Sequence, residues 1–292
     1  MEPNTNVNLP TPNQNQIESS KLLEGPVSLF ISAWQLFKNN WKVIVPIVIA
    51  PTAVMYIGQI FAMTRNPLLI LIAIIMILVA IVFYVPMQSA AIGAIHRLST
   101  EPGVAIKFKD QYKFGFKYFW SVILLVIIQT LVFFGSAVFL VIPGIIVGVY
   151  VGMYLFTLVL ENKKGLSALE ESYSLVSGRW FETFGRILFL ALVYIIGAIV
   201  LAGLAFIIQS LLSIQPKSTG EVVLGIILNL GLTTVLSPLA LIYMYKLYSS
   251  LKVTRLPNVV TATFKKWLIA FMVIGVPVMV ALIWALSTSP LS

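Results

Sequence analysis

The sequence predicts an all-α protein, a polytopic bundle of transmembrane helices, and three observations carry that expectation. Of 292 residues, 59 % are hydrophobic and 10 % charged, where a soluble domain carries about a quarter charged residues. Six stretches of 22 to 43 residues contain no Asp, Glu, Lys or Arg. The cations between those stretches fall almost all on one side, as the positive-inside rule demands. A mean hydropathy of +0.99 agrees. A soluble enzyme, a disordered chain and a fibrous repeat are excluded.

Residues 1–24 read as a polar tail rich in Asn, Gln, Pro and Thr. Such a segment cannot bury apolar surface and is expected to be disordered. It lacks the basic n-region and apolar h-region of a cleaved leader. The charge-free stretches follow. A helix crosses a hydrocarbon core of about 30 Å with about 20 apolar residues, so 43–64, 66–95, 187–216, 222–245 and 267–292 each hold one span. The stretch 118–160 is the longest of the six and fits two spans, hinged near Pro143-Gly144, where proline breaks the helix ladder. Seven spans result, at 43–63, 67–95, 119–138, 143–161, 185–212, 222–247 and 267–286. Six is the alternative, if the middle stretch re-enters without crossing.

Placing the N-terminus in the cytoplasm puts 17 of the 19 Lys and Arg inside and leaves only Arg65 and Lys217 outside. The seventh span then carries the C-terminus out of the cell membrane.

The inner segments repeat. Val27, Phe30, Trp34, Phe37 and Trp41 share one helical face. Leu166, Leu169, Tyr173, Val176 and Trp180 occupy the same five positions in a second copy. In that copy Ser167 and Glu170 have capping-box spacing. Weaker copies precede Trp120 and Trp267. Four short amphipathic helices are therefore expected at the inner interface, anchored by Trp41, Trp120, Trp180 and Trp267. The halves 25–161 and 162–292 read as parallel repeats about an axis along the membrane normal.

Candidate chemistry is sparse. The chain has no Cys, one His (His96) and one Asp (Asp110), so no metal site, no cofactor and no catalytic centre is expected. Ser99, His96 and Asp110 share an inner segment but lack the glycines of a nucleophile elbow. Gly144, Gly148 and Gly152 form an overlapping GxxxG pair, read as helix packing or as a smooth pore face. Gln129 and Asn229 are the deepest amides and each needs an interhelical partner. Six prolines within the spans fit either cavity-lining kinks or kinks without a role.

Pro143-Gly144-Ile145-Ile146, then Glu161, then the run from Gly165 through Ala168, Leu169, Ser172, Leu175 and Gly178 to Trp180 resemble a bacterial family. It is the membrane domain named after glycerophosphoryl diester phosphodiesterase, with related multi-span membrane proteins. The motif of this likeness is confined to the segment from Pro143 to Trp180. It implies a membrane module, without the separate catalytic barrel of the fused members.

A net charge of +9 in a membrane chain points to anionic lipid headgroups and away from nucleic acid. Lys163, Lys164 and Arg179 are the expected headgroup contacts. The function expected is a non-enzymatic membrane module that binds lipid, a protein partner or a second copy at its basic inner face. The alternative is a transporter or exporter of an apolar or amphipathic solute.

Overall fold

The computed structural model describes residues 23–64, 66–101, 103–137, 141–215, 218–256 and 259–288. Ten helices follow one another, and no strand occurs among these residues. They are α1 (Pro26–Ala62), α2 (Pro67–Thr100), α3 (Phe108–Phe116), α4 (Phe119–Ala137), α5 (Val141–Val151), α6 (Tyr154–Glu161), α7 (Leu166–Val176), α8 (Trp180–Leu211), α9 (Thr219–Val253) and α10 (Ala262–Thr288). Seven segments are long and apolar enough to cross a membrane: α1, α2, α4, α5 with α6, α8, α9 and α10. The chain is an all-α, multi-pass integral membrane protein. The middle stretch supplies two of the seven candidate spans, as the hinge near Pro143 predicted. Residues 1–22 of the expected tail, Arg65, Lys217 and the last four residues lie outside the described residues.

Local chemistry sets the helix starts. Asn66 accepts a hydrogen bond from the Leu68 amide at 2.9 Å, and Pro67 follows at the first helical position. Ser218 accepts from the Glu221 amide at 3.3 Å. Both caps satisfy amides that the helix cannot. Pro86 in α2 and Pro238 in α9 stand at the same register from their caps, and both are buried.

The packed core lies toward one end of the bundle. Every described Lys and Arg also belongs to that half, and we call it the basic end. On α2 the run 86–95 is buried except for the half-buried Gln88. The core continues through α6, α7 and residues 238–251 of α9. The other halves of the spans expose their apolar side chains, as on Ile74, Ile199, Phe206 and Val280. Helices that meet at one end and face outward at the other are what a bilayer permits, since lipid is as apolar as leucine.

α1 packs along α2 and α9, and α4 packs along α10. The two sequence halves therefore interlock. The α4–α10 contact is reciprocal: a Cβ on Gly135 would run into the Phe271 carbonyl, and one on Gly275 into the Leu131 carbonyl. Each glycine stands one turn after the residue that its counterpart touches, so the backbones meet on both sides. Gly115 of α3 meets the Pro86 carbonyl of α2 in the same way.

This close approach corrects the packing expected of Gly144, Gly148 and Gly152. A Cβ on Gly148 would meet nothing within 4 Å, and Gly144 has only ordinary contacts at 3.7 and 3.8 Å. At Gly152 a Cβ would sit 3.3 and 3.4 Å from carbonyls of its own helix and 3.9 Å from Ile187. The GxxxG spacing is present, but no helix crosses over it.

The expected interfacial helices need correction too. Residues 27–41 are the first turns of α1, continuous with the span, while 166–180 breaks into α7 and the start of α8. The difference lies at Gly178, whose φ of +78° ends α7, where α1 has Lys38-Asn39-Asn40 and no breaker. The Glu24 amide ahead of α1 donates to Ser250 Oγ at 3.2 Å and ties its entry to α9. The third expected segment is the separate helix α3. The fourth becomes helical only at Ala262.

Gly135→Ala and Gly275→Ala are expected to destabilise the detergent-solubilised protein by about 1–3 kcal/mol each, because backbone must move. Gly148→Ala should change stability by less than about 0.5 kcal/mol. Melting temperatures of the three variants check this.

Candidate functional site

The basic end is held by polar contacts that begin at a break between α5 and α6. At Gly152-Met153 the ladder is interrupted. Ser172 of α7, fully buried, repairs it: its hydroxyl accepts from the Met153 amide at 3.0 Å and donates to the Tyr150 carbonyl at 2.7 Å. Thr157 then donates to the Ala168 carbonyl at 2.9 Å and joins α6 to α7. A backbone break inside apolar surroundings survives only where side chains satisfy the freed groups.

Three carboxylates of this region are matched to three cations on the last turn of α9 and beyond. Glu161 lies 3.1 Å from Lys252, Glu171 lies 2.6 Å from Arg255, and Glu170 lies 3.1 Å from Lys265. The carboxylates are largely buried and the cations about half exposed. Tyr248 also donates to Glu161, and Arg255 to Ser174 at 2.8 Å. Glu170 thus faces Lys265 and makes no capping box. The N-cap of α7 is Gly165, and Ser167 instead accepts from the Lys164 amide and donates to its carbonyl.

Arg186 pins the entry to α1. Its Nε donates to the Glu24 carbonyl at 2.6 Å and its Nη2 to the Leu23 carbonyl at 2.9 Å, while Tyr243 donates to the Arg186 carbonyl at 3.0 Å. On the opposite side, Tyr112 of α3 donates to the Ile47 carbonyl at 2.8 Å. Burial pushes the Tyr112 phenol well above its ordinary range, so it remains a donor at physiological pH.

The expected contact residues distribute unevenly. Lys163 and Lys164 are exposed and make no ion pair among the described residues. Their turn is defined by backbone geometry: Asn162 is left-handed at φ 54°, Gly165 has φ +55°, and the Lys163 amide donates to the Thr157 carbonyl at 3.2 Å. Arg179 is half-buried. Trp41, Trp120 and Trp267 are 51 %, 77 % and 58 % exposed. Trp180 differs, because its Nε1 donates to the Ile146 carbonyl at 3.1 Å and its ring stacks on Phe184. It ties α8 to α5.

His96 and Asp110 line one crevice with Arg97 and Gln111, whereas the Ser99 hydroxyl is buried elsewhere without a partner. His96 Nδ1 pairs with the Tyr245 hydroxyl at 3.0 Å. Neither deep amide joins two helices. Asn229 donates to the Gly225 carbonyl of its own helix at 2.9 Å, a bond available because glycine leaves that carbonyl open. Gln129 has no partner among the described residues.

The spans enclose one further feature. A groove of about 470 Å³ between α1, α2 and α9 is lined by Val48, Thr52, Tyr84, Thr233 and Ser237. A neighbouring hollow of about 280 Å³ shares Val48, Tyr84 and Ser237 and adds Gln88 and Tyr194. Sequence reasoning missed this groove, and it missed the three glutamates. The signal for the latter was three acidic residues of a chain with ten standing close together, Glu161 at the end of a span and Glu170-Glu171 just after it.

A scan against protein-family models finds no match to this chain, and none is found among the curated proteins or the solved structures.

Ser172→Ala should lower stability by about 1–3 kcal/mol, because a buried amide and a carbonyl lose their common partner. Thermal unfolding in detergent, with Ser167→Ala as the exposed comparison, measures this.

Proposed function

We propose that this integral membrane protein is a non-enzymatic module that binds anionic lipid at its basic end, which faces the cytoplasm. The observation that carries the reading is the Lys163–Lys164 turn. It is exposed, hydrogen-bonded into one shape, and has no carboxylate partner among the described residues. The carboxylates nearest to it in the chain, Glu161, Glu170 and Glu171, are already matched to other cations. Across the basic end the described residues include sixteen cations and seven carboxylates. Each exposed Lys or Arg near an anionic leaflet contributes about 1 kcal/mol of attraction. The exposed Trp41, Trp120 and Trp267 suit the headgroup level.

The paired caps and prolines of α2 and α9, with the reciprocal Gly135–Gly275 contact, support the internal repeat. The likeness to the membrane-domain family fits a module of this kind. A second reading, passage of an amphipathic solute, is favoured by the groove beside Thr52, Tyr84, Thr233 and Ser237, which combines hydroxyls with apolar walls.

Native mass spectrometry of the protein released from mild detergent tests the first reading. Retained anionic lipid should fall about thirtyfold in the Lys163→Gln/Lys164→Gln variant, the loss of about 2 kcal/mol from two such charges. Equal retention would overturn it. Arg179 is left unchanged because it is half-buried. For orientation, Lys163→Cys should react with an impermeant maleimide only in inverted vesicles and Gln215→Cys only in intact cells.

A further inference from the structure

The crevice between α2, α3 and the end of α6 has a volume of about 270 Å³. That lies below the ~300–1,000 Å³ of pockets for drug-sized ligands, so it has room for a compact polar group. Arg97 and Asp110 both line it. Neither side chain makes an ion pair or a hydrogen bond among the described residues. Two opposite charges on one crevice that do not meet leave a gap that a ligand carrying both signs would fill.

Two further groups face the same space. Gln111 is 3 % exposed, yet its carboxamide has no hydrogen-bond partner among the described residues. The part of it that stays accessible opens on the crevice. His96 is oriented by its Nδ1 contact with Tyr245. When Tyr245 donates to Nδ1, the other ring nitrogen carries the proton and becomes a donor. Phe114 closes the crevice with an apolar wall.

We propose that this crevice binds a phosphoethanolamine group, with the phosphate against Arg97 and His96 and the ammonium against Asp110 and the Gln111 carbonyl oxygen. The guanidinium fork matches a phosphate. A purely anionic headgroup would satisfy Arg97 but be repelled by the Asp110 carboxylate. A purely cationic one would meet the converse. The group arrives either on a membrane lipid or as the free soluble compound, since the recognised chemistry is the same. The crevice is distinct from the Lys163–Lys164 turn, so either site can fail without the other.

The test uses the full-length protein in detergent, with adducts counted by native mass spectrometry. The probes are phosphatidylethanolamine, phosphatidylglycerol of the same acyl chains, and soluble phosphoethanolamine. In the Lys163→Gln/Lys164→Gln protein, where the separate anionic-lipid site is weakened, phosphatidylethanolamine should be retained about tenfold over phosphatidylglycerol, the discrimination one charge-assisted contact can supply. Asp110→Asn should abolish that preference by weakening the first lipid and strengthening the second, a reversal that general loss of structure would not produce. Arg97→Gln should weaken both. Against the unaltered chain, the Lys163→Gln/Lys164→Gln change should lower phosphatidylglycerol retention more than phosphatidylethanolamine retention. Asp110 and Arg97 are exposed, so neither variant removes core packing. Competition by soluble phosphoethanolamine at equal concentration identifies the free compound as ligand, and its failure identifies the lipid. Equal retention of the two lipids by the Lys163→Gln/Lys164→Gln protein, or an unchanged preference when Asp110→Asn is added to it, would overturn the proposal.

Discussion

Every backbone polar group inside a bilayer must be satisfied by the protein itself, and that constraint accounts for where this chain puts its polar residues. The long helices satisfy their own amides through the apolar halves of the spans. Irregular backbone occurs instead at the basic end, in the break at Gly152-Met153, the turn at 162–165 and the bend at Gly178. Each is met by a specific donor or acceptor: Ser172 at the break, Thr157 and Ser167 at the turn, and the Val176 carbonyl for the Arg179 amide after the bend. The core gathers where these contacts are, and the opposite halves of the spans leave most of their apolar side chains to lipid.

The same constraint decides how the two halves of the chain differ. The apolar face starting at Val27 and the one starting at Leu166 have the same spacing, but only the second is interrupted. With Gly178 in place, α7 can fold back against α5 and α6, bringing Leu169, Ser172 and Val176 into the core. Without such a break, α1 continues, and Val27, Trp34 and Trp41 stay on its outer side. One left-handed residue thus turns an entering helix into a buried brace. That brace carries Glu170 and Glu171, the carboxylates that reach Lys265 and Arg255 beyond α9.

The seven spans were legible because hydropathy and length are local properties of the chain. So were the start of the second span at Pro67 and the split of the 118–160 stretch beside Pro143, whereas α9 starts at Thr219, three residues before the expected span, because Ser218 caps its first turn. The close helix contacts were not. Gly144, Gly148 and Gly152 have a packing signature, yet the crossing glycines are Gly135 and Gly275, which belong to opposite halves of the sequence. A glycine marks where a helix can approach, and only the tertiary arrangement supplies the helix that does. The glutamates escaped for a related reason, since the whole of α8 and α9 separates α7 from Arg255 and Lys265 in the chain. The lysines at 163 and 164 could be read from the sequence because an exposed charge needs no partner to be recognised.

Rigidity and leftover charge then meet in one place. The ion pairs of Glu161, Glu170 and Glu171 join α6 and α7 to the end of α9 and the segment beyond it. Arg186 ties the entry of α1 to α8. An end braced in this way loses little conformational freedom when it takes up a charged group, which is the general route to affinity without large contact area. The apolar half of α8 has few neighbours in the bundle, so its surroundings are set by lipid acyl chains. A ligand that reads headgroup charge therefore has its recognition at the braced end. A solute that reads the groove beside Tyr84 and Ser237 would instead depend on how far α2 and α9 separate. The two readings place their energetics at opposite levels of the same bundle, and the polar bracing around Ser172 favours the level where the charges are.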